Sequence, residues 1–492
     1  MRGSIQKSKI IGLCAILGIL SFQTAVVAKK KPKRRSSRAA AAKRVNSLPR
    51  VFPFLVQKLS TTRPPVEANL PMLQATKAPK APVLSGPAPS AAAMAGQLII
   101  SEFRLRGPFG GNDQFVEIYN ASGADHTVAD SGVGTGYAIA ASDGVARCII
   151  PNGTVIPNRG HFLCVNSVNY SLANYPSGNN GVSSTTATGD ASYTIAIPDN
   201  DGIALFNTSV AANFNAGTRL DAVGSTSAPA LYREGTGYPP LSGATYTSGT
   251  DYSFVRDTCG KGGSVSVFGP CPISTPKDTG DNAADFIFVD TNAASAGAGQ
   301  RIGAPGPENL TAPIQRNASF TANLLDTTVS NASNPNRLRD QTSDAGNNST
   351  FGTLSLRLRV TNNTGAAITR LRFRIIDLTI FPNPAGIADL RARSSNAVTV
   401  NGVNDAGTCF AAHGVATTPC TVTVQGTTLD QSDGPPPPVQ QANGGGFNSS
   451  LSAGTVTLGT PLANGASINL QFLLGVQQTG LFKIYMNIET LP

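Results

Sequence analysis

The sequence lacks tryptophan altogether and contains only 4 methionines and 3 histidines in 492 residues. Charged side chains are also scarce, at 13% of the chain against roughly 25% in an average globular protein. So few histidines leave little material for histidine-based catalysis, and a chain without tryptophan lacks the usual aromatic platform of a carbohydrate-binding surface. No stretch shows a sustained 3.6-residue apolar period, which argues against a helical protein.

What the sequence has instead is glycine and proline, 51 and 34 residues, which punctuate short apolar or β-branched runs. Runs of this kind predict many short strands joined by turns, and three of them lie at residues 98–105, 115–119 and 161–166. We therefore predict an all-β protein. The strand pattern restarts after residue 309, and we assign residues 310–492 to a second β-sandwich domain; the alternative is one large continuous β-structure.

The N-terminus has the layout of an export signal. Three basic residues precede an apolar stretch at residues 10–20, which is too short to span a bilayer comfortably, and a small-residue cleavage site ends at Ala28. We predict a secretory signal peptide over residues 1–28, so that the mature protein is secreted or held in the cell envelope without an integral membrane domain. The alternative is an uncleaved anchor over residues 10–28, which the basic residues after it would favour.

Charge is distributed unevenly along the chain. Residues 1–96 hold 17 of the 38 lysines and arginines and one of the 28 acids, a net charge of +16, whereas residues 97–492 carry −6. Residues 29–96 are basic and then rich in proline and alanine, so we predict a disordered linker there. Its densest basic run is Lys29, Lys30, Lys31, Lys33, Arg34, Arg35 and Arg38. We expect residues 29–50 either to contact an anionic surface, such as phospholipid, wall polymer or nucleic acid, or to serve as a solvated spacer.

Six cysteines remain once Cys14 leaves with the signal peptide, and they fall into three close pairs. These pairs are Cys148 with Cys164, Cys259 with Cys271, and Cys409 with Cys420. Six cysteines can pair in many ways, so the sequence alone leaves the connectivity open, but the clustering favours a disulfide within each close pair. Buried free thiols are the alternative, which fits an exported chain less well because its compartment is oxidising.

Two neighbouring runs in the C-terminal part alternate apolar and polar residues, at 354–360 and 368–375. A turn-forming Asn-Asn-Thr-Gly segment separates them. The pattern predicts a half-buried antiparallel hairpin whose outer face is studded with arginines. In the second run these arginines are Arg370, Arg372 and Arg374.

Several segments resemble the lamin-tail domain family. The sequence Leu-Ile-Ile-Ser-Glu-Phe at residues 98–103 is similar to the family's opening strand, and Asp-Gln-Phe-Val-Glu-Ile-Tyr-Asn at 113–120 to the motif that follows. Gly-Ala-Pro-Gly-Pro-Glu-Asn at 303–309 resembles its C-terminal signature. Shorter matches lie between them in the same order, at residues 150–160, 201–205, 220–224, 253–256 and 281–286.

This resemblance covers residues 97–309. It implies an immunoglobulin-like β-sandwich, which in exported bacterial proteins serves as a binding or surface module and in nuclear lamins as an interaction module. The chain departs from the family pattern at Gln114, where the family often has glutamate, and in long insertions at residues 167–190 and 225–252. Because one fold hosts many functions, the resemblance names no specific ligand.

One acidic residue stands in an apolar strand. Glu117 lies within residues 115–119, where an unpaired carboxylate would be costly to bury. We expect it to form a structural ion pair with Arg104 or Arg106 of the preceding strand. The alternative is a solvated strand face.

Asp199 and Asp201 resemble the start of a calcium loop, but the remaining acidic positions of such a loop are absent. Turn chemistry accounts for these two residues more simply. The sequence has no G-x-S-x-G, no H-E-x-x-H and no phosphate-binding loop. We therefore predict no catalytic residue, no cofactor and no enzymatic activity.

Together these features predict an exported, non-enzymatic surface or extracellular module with a structural or interaction role. Its partner would be an unknown protein or an envelope polymer, and the basic arm, residues 29–50, would tether it to an anionic envelope. The alternative is an accessory subunit that targets a partner hydrolase or binds extracellular nucleic acid through the same arm.

Overall fold

The computed structural model of the chain describes residues 94–175, 186–241, 251–259, 261, 276–292, 301–315, 317–381, 385–430 and 441–492. The signal peptide, the basic run and Cys271 lie outside the described residues, as does nearly all of the predicted linker. What the sequence predicts for those segments stays a prediction. Below, the first half means residues 97–309 and the second half residues 310–492.

The protein is mostly β-structure, with 43% strand and 7% helix in several antiparallel and mixed sheets, so the prediction of a β-rich fold is confirmed. In the first half the elements are β1 Leu98–Arg104, β2 Phe115–Asn120, β3 His126–Thr127, β4 Gly136–Ala141, β5 Ala146–Pro151, β6 Val155–Ile156, β7 His161–Asn166, β8 Ala191–Tyr193, β9 Gly202–Phe206, β10 Arg219–Gly224, β11 Tyr252–Arg256, α1 Asn282–Asp285, β12 Phe286–Asp290 and β13 Arg301–Ile302. In the second half they are β14 Ile314–Gln315, β15 Phe320–Leu324, β16 Arg337–Asp340, β17 Thr353–Asn362, β18 Arg370–Leu378, β19 Asp389–Arg393, β20 Val398–Val403, α2 Ala406–His413, β21 Cys420–Gly426, β22 Thr428–Leu429, β23 Ser450–Ser452, β24 Ser467–Gln478 and β25 Ile484–Leu491.

Two sheets of the first half pack around one core. The larger sheet has the strand order β13-β12-β11-β1-β2-β7-β8 and the smaller one β10-β9-β4-β5. Phe103 and Phe254 of the larger sheet share a core with Tyr137, Ile139 and Leu205 of the smaller sheet. Strands β4 and β9 are buried along their whole length, which explains why their sequences are almost continuously apolar.

A disulfide between Cys148 and Cys164 joins these two sheets. Cys148 lies on β5 of the smaller sheet and Cys164 on β7 of the larger one, with Cα atoms 6.2 Å apart. A second disulfide, between Cys409 and Cys420, joins α2 to the start of β21. Both pairings are as predicted, and each closes a short loop that contributes about 3 kcal/mol by the chain-entropy relation.

The disulfides also indicate the cellular compartment of the protein. Cys259 is disulfide-bonded too, and its predicted partner, Cys271, lies outside the described residues. Disulfides persist in oxidising surroundings, so the protein belongs to an oxidising, extracytoplasmic compartment. Neither helix in the described part of the chain has the length and apolar character that a membrane span requires.

The second half likewise builds two larger sheets around one core. Their strand orders are β14-β25-β18-β23-β22 and β15-β17-β24-β21-β20, with β16 also paired to β17 and β19 to β24. Leu356 and Leu358 of β17 share this core with Phe373 and Ile375 of β18 and with Phe472 of β24. The apolar alternation along these strands therefore faces the space between the two sheets.

The predicted hairpin over residues 354–375 is wrong. Its two strands lie in different sheets, because β17 pairs with β24 and β18 pairs with β25. The arginines expected on the outer face, Arg370, Arg372 and Arg374, are at most 6% exposed. The alternation of apolar and polar residues predicts the positions of both strands. Which side of a strand is buried depends on partner strands that come much later in the chain.

Backbone pairing joins the two halves. Gly303 forms a parallel bridge with Phe447, and Phe447 N donates a hydrogen bond to Ile302 O at 2.9 Å. Val289 and Ile302 of the first half belong to the core of the second half. The described residues accordingly form one compact unit, and the domain boundary after residue 309 stays a prediction.

Candidate functional site

Charged residues from five strands and one loop meet in a buried cluster between the two halves. The members of this charged cluster are Glu102 on β1, Glu117 on β2, His161 on β7, Glu308 after β13, Arg372 and Arg374 on β18, and Glu489 on β25. None of them is more than 6% exposed. Burying so many ionisable groups is costly unless they satisfy one another, so their contacts decide what the site can do.

Strand register brings these charges together. Strands β1 and β2 pair with Glu102 opposite Glu117, and β18 and β25 pair with Arg372 opposite Glu489. Alternate residues of a strand point to the same side, so Arg374 joins Arg372 on that side of β18. The polar side of each strand pair is thereby turned toward the other half.

Glu489 holds both arginines. Arg372 Nε donates to Glu489 Oε2 at 2.6 Å, and Arg374 Nε donates to Glu489 Oε1 at 2.8 Å. Burial opposes ionisation of this carboxyl, but the two guanidinium groups prevail and hold the pKa of Glu489 below its ordinary value. The arginines are therefore buried with an ionised carboxylate between them.

Glu308 connects the first half to the second. Its carboxylate accepts a hydrogen bond from Arg372 Nη2 and lies 3.2 Å from Arg374 Nη2. Its backbone N–H donates to Glu117 Oε2 at 2.6 Å. One residue in the segment after β13 thus binds β2 of its own half and β18 of the other.

Glu102 is also bound from both halves. Ser253 Oγ and Gly306 N donate to its Oε1 at 2.6 and 3.0 Å, and Asn448 Nδ2 donates to its Oε2 at 3.0 Å. Arg374 Nη1 donates to Gly306 O at 3.1 Å and to Asn448 Oδ1 at 2.8 Å. A Cβ at Gly306 would collide with Arg374 Nη1, so this close approach requires glycine.

Glu117 is a buried acceptor rather than a solvated strand residue. Only 4% of it is exposed, so the solvated alternative is wrong. Its Oε1 accepts from Ser101 Oγ, and its Oε2 accepts from Glu308 N. His161 Nε2 lies 3.8 Å from Glu117 Oε1 and 3.3 Å from Glu308 Oε2.

The ion pairs expected between Glu117 and Arg104 or Arg106 are also wrong. Arg104 Nη2 donates to Asp113, and Arg106 Nη2 donates to Asp199 at 2.8 Å. The register of β1 and β2 sets another acid opposite Glu117 and leaves both arginines nearer the following loop. Glu117 is buried, and its partners are Ser101 and Glu308 rather than these arginines; its structural role stays a prediction.

The charged cluster contains an excess of carboxylates. With every glutamate ionised, its four negative charges would face only two guanidinium charges. Burial raises the pKa of Glu102 and raises the pKa of Glu117 well above its ordinary value. Burial, reinforced by Arg374, lowers the pKa of His161 to about 3, so the imidazole is neutral. The histidine therefore contributes no positive charge to offset the excess.

A cavity of about 90 Å³ adjoins the charged cluster. Besides cluster members it is lined by Ser101, Tyr119, Val289, Phe447, Asn448 and Asn487. Burial raises the pKa of Tyr119 to about 12, so its hydroxyl stays protonated. The walls of the cavity are both apolar and polar, and a cavity of this size has room for a few water molecules, at about 30 Å³ each.

Asp199 and Asp201, the weak calcium candidates, serve other contacts. Asp199 pairs with Arg106, and Asp201 accepts from Ser142 Oγ and Gly202 N. Among the described residues, two groups bring three possible ligand atoms within 4.8 Å of one another: Glu117 with His161 and Glu308, and Asp221 with Glu234 and Asp278. The two predicted aspartates belong to neither group.

The second of these groups surrounds Arg256 inside the first half. Arg256 Nη2 donates to Asp221 Oδ2 at 2.6 Å, and Nη1 donates to Asp278 Oδ1 at 3.3 Å. Burial, together with the charges of Asp221 and Asp278, raises the pKa of Glu234 to about 8. No hydrogen bond to Glu234 Oε2 is formed by any described residue.

Sequence reasoning missed most of the charged cluster. It singled out Glu117 but did not mark Glu102, His161, Glu308 or Glu489 as site residues. It also placed Arg372 and Arg374 on the outer face, whereas both are buried. One signal was available: β25 is an apolar strand with Glu489 as its single acid, and β18 carries arginines at alternate positions. An acid that pairs opposite such arginines would allow both strands to be buried.

The chain matches no family model, no curated protein and no solved structure. The lamin-tail resemblance of residues 97–309 therefore remains a prediction from the motifs.

The pairing of Glu489 with two buried arginines predicts a large loss of stability for Glu489→Gln. The variant leaves Arg372 and Arg374 with too little negative charge, which we expect to lower the free energy of unfolding by about 3–5 kcal/mol. Urea denaturation measures this. The exposed pair of Arg106 and Asp199 provides the control, because Asp199→Asn should cost no more than about 1 kcal/mol. Equal small losses in the two variants would contradict the assignment.

The raised pKa of Glu234 predicts a pH dependence of stability. The pKa of Glu234 is about 8 in the folded protein and 4.5 ordinarily. Its contribution to the free energy of unfolding is therefore fully present below about pH 4.5. That contribution is lost as the pH rises through 8, because the unfolded state ionises first. In Glu234→Gln this loss disappears, so the variant should gain stability relative to the wild type between about pH 5 and pH 9. Urea midpoints across that range test it, and parallel curves for the two proteins would refute it.

Proposed function

We propose that the protein is an exported, non-enzymatic surface or extracellular module whose two β halves act as one rigid body, with the basic arm, residues 29–50, tethering it to an anionic envelope. The observation that carries the proposal is the charged cluster. Its charged groups join the two halves, because Arg372 of the second half donates a hydrogen bond to Glu308 of the first. A body built in this way suits a structural or interaction role.

Export is supported by the cysteines. The disulfides Cys148–Cys164 and Cys409–Cys420 belong to an oxidising compartment, and the first of them ties two sheets together. The predicted signal peptide would deliver the chain to that compartment. Secretion and retention in the envelope remain the two destinations.

For the first half we propose a lamin-tail-like, immunoglobulin-like β-sandwich. The three acids of its main motifs, Glu102, Glu117 and Glu308, converge in the charged cluster although they are distant in the sequence. Two sheets sharing one core and a disulfide between them also suit a sandwich. For residues 310–492 we propose a second β-sandwich, on the ground of two sheets around one core.

The absence of enzymatic activity in this proposal rests on the state of the ionisable groups. General acid–base catalysis needs titratable groups within hydrogen-bonding reach of a substrate. In the charged cluster, Glu489 is committed to two arginines and His161 is neutral and 4% exposed. In this proposal these buried groups serve the interface between the halves.

The tether follows from the opposite charges of the two parts of the chain. Residues 97–492 carry −6 and would be repelled by an anionic surface, whereas residues 1–96 carry +16. Attraction to such a surface must therefore come from the arm, where each lysine or arginine contributes about 1 kcal/mol near an anionic membrane. The attraction is electrostatic and is screened by salt.

The test compares the full chain with a variant lacking residues 29–50, using phosphatidylglycerol vesicles and neutral phosphatidylcholine vesicles. We expect the full chain to sediment with the anionic vesicles at low salt, to be released as NaCl rises, and to lose binding when the arm is deleted. A deletion of residues 71–92, equal in length, is the control and should still bind. Salt-insensitive binding, or equal binding by both deletions, would refute the tether; preferential binding to duplex DNA would favour the nucleic-acid alternative.

A further inference from the structure

We propose that Glu117, His161 and Glu308 bind one divalent transition-metal ion, of the class that includes Zn²⁺, at the cavity between the two halves. Their three potential ligand atoms lie within 4.8 Å of one another, and all three residues are buried. The donor set is one imidazole nitrogen and two carboxylate oxygens. Such a set suits zinc and related ions with open coordination positions.

The distances are close to those of a metal site. A tetrahedral Zn²⁺ with bonds of about 2.1 Å sets its ligand atoms about 3.4 Å apart. His161 Nε2 lies 3.3 Å from Glu308 Oε2 and 3.8 Å from Glu117 Oε1. The oxygen atoms of Glu117 and Glu308 lie within 4.8 Å of each other, so side-chain movements of about an ångström would bring all three atoms into bonding distance.

The chemistry of His161 points to a cation at its Nε2 atom. Its Nε2 atom faces the carboxylates of Glu117 and Glu308, and its Nδ1 atom has no hydrogen-bond partner among the described residues. With the proton on Nδ1, Nε2 can act as a metal ligand. A metal ion at this point would be bonded by one nitrogen and two carboxylate oxygens.

The charge of the surroundings favours a divalent cation as well. Glu489 already shares its charge with Arg372 and Arg374. With every glutamate ionised, the charged cluster holds two more carboxylate charges than guanidinium charges. One divalent ion would offset two negative charges, which is the difference between four carboxylates and two guanidinium groups.

The rest of the site has room for the ion's remaining ligands. The adjoining cavity of about 90 Å³ can hold water molecules that complete the coordination. Ser101 Oγ donates to Glu117 Oε1 and fixes that carboxylate. Calcium would need six to eight oxygen ligands, far more than this site supplies, so the donor set favours zinc over calcium.

The ion would hold in place the segment of the first half that binds the second. Glu117 and His161 lie on the paired strands β2 and β7, and Glu308 binds Arg372 of the second half. A metal bridging the first two residues to Glu308 would hold that segment in place. An ion that binds the folded protein but not the unfolded chain would raise the stability of the folded protein.

The first experiment uses the full, disulfide-bonded chain without a polyhistidine tag. After chelator treatment the protein is dialysed against Zn²⁺ and then against metal-free buffer, and its zinc content is measured by mass spectrometry. We expect one zinc per chain, with Tm raised by about 3 °C in excess Zn²⁺ and unchanged in Ca²⁺. Less than about a tenth of an equivalent of retained zinc would overturn the proposal.

The second experiment locates the ion with variants. His161→Gln and Glu117→Gln should each weaken zinc binding more than about 100-fold, since losing a group that merely orients a ligand already costs about 10–100-fold. The matched controls His126→Gln and His413→Gln should bind zinc as the wild type does. Undiminished binding by His161→Gln, or loss of binding in His413→Gln, would overturn the proposal.

A third measurement does not depend on the folding of any variant. Co²⁺ added to the wild-type protein should give visible absorption bands typical of a low-coordinate site with nitrogen and oxygen ligands. The bands should vanish when one equivalent of Zn²⁺ displaces the cobalt. A spectrum identical to that of hydrated Co²⁺ would count against the site.

Discussion

Arg372 and Arg374 are buried, and guanidinium groups away from water are tolerated only where carboxylates and carbonyls accept their hydrogen bonds. Glu489 accepts from the Nε atom of each arginine, within the second half. Glu308 and Gly306 of the first half accept from the outer nitrogens. The second half therefore depends on the first to satisfy its own arginines, which makes the contact between the halves a structural requirement.

Local features of this fold could be predicted from the sequence, and long-range ones could not. Strand β7 begins at His161 and ends at Asn166, as its apolar sequence predicts, and two disulfides join neighbouring cysteines. These features depend on periodicity and on short loops. The buried side of β18 depends instead on β25, more than a hundred residues later in the chain.

Glu117 shows the same contrast between local and long-range features within the candidate site. Its apolar neighbours leave both burial with an ion pair and a solvated strand face open, and they do not indicate its partners. Its carboxylate accepts from the backbone of Glu308, which the intervening strands bring close. Nothing in the local sequence distinguishes that partner from the nearby Arg104, which binds Asp113. A register that sets two acids opposite each other is unfavourable locally and is tolerated only because the second half supplies positive charge.

The same arrangement links stability to the proposed role. A protein in an extracytoplasmic compartment must keep its shape without help from cytosolic chaperones. One disulfide joins the two sheets of the first half, another joins α2 to β21 in the second half, and the charged cluster fixes one half to the other. A metal ion at Glu117, His161 and Glu308 would fix, within the first half, the segment whose Glu308 binds Arg372 of the second half.

The central claim is that charge pairing across the halves stabilises the folded protein. A double-mutant cycle on Glu308→Gln and Arg372→Gln, measured by urea denaturation in chelator-treated buffer, tests it most directly. The account predicts that the two substitutions are strongly non-additive, with a coupling free energy above about 1 kcal/mol. Additivity within about 0.3 kcal/mol would mean that the two residues act independently and would contradict the account.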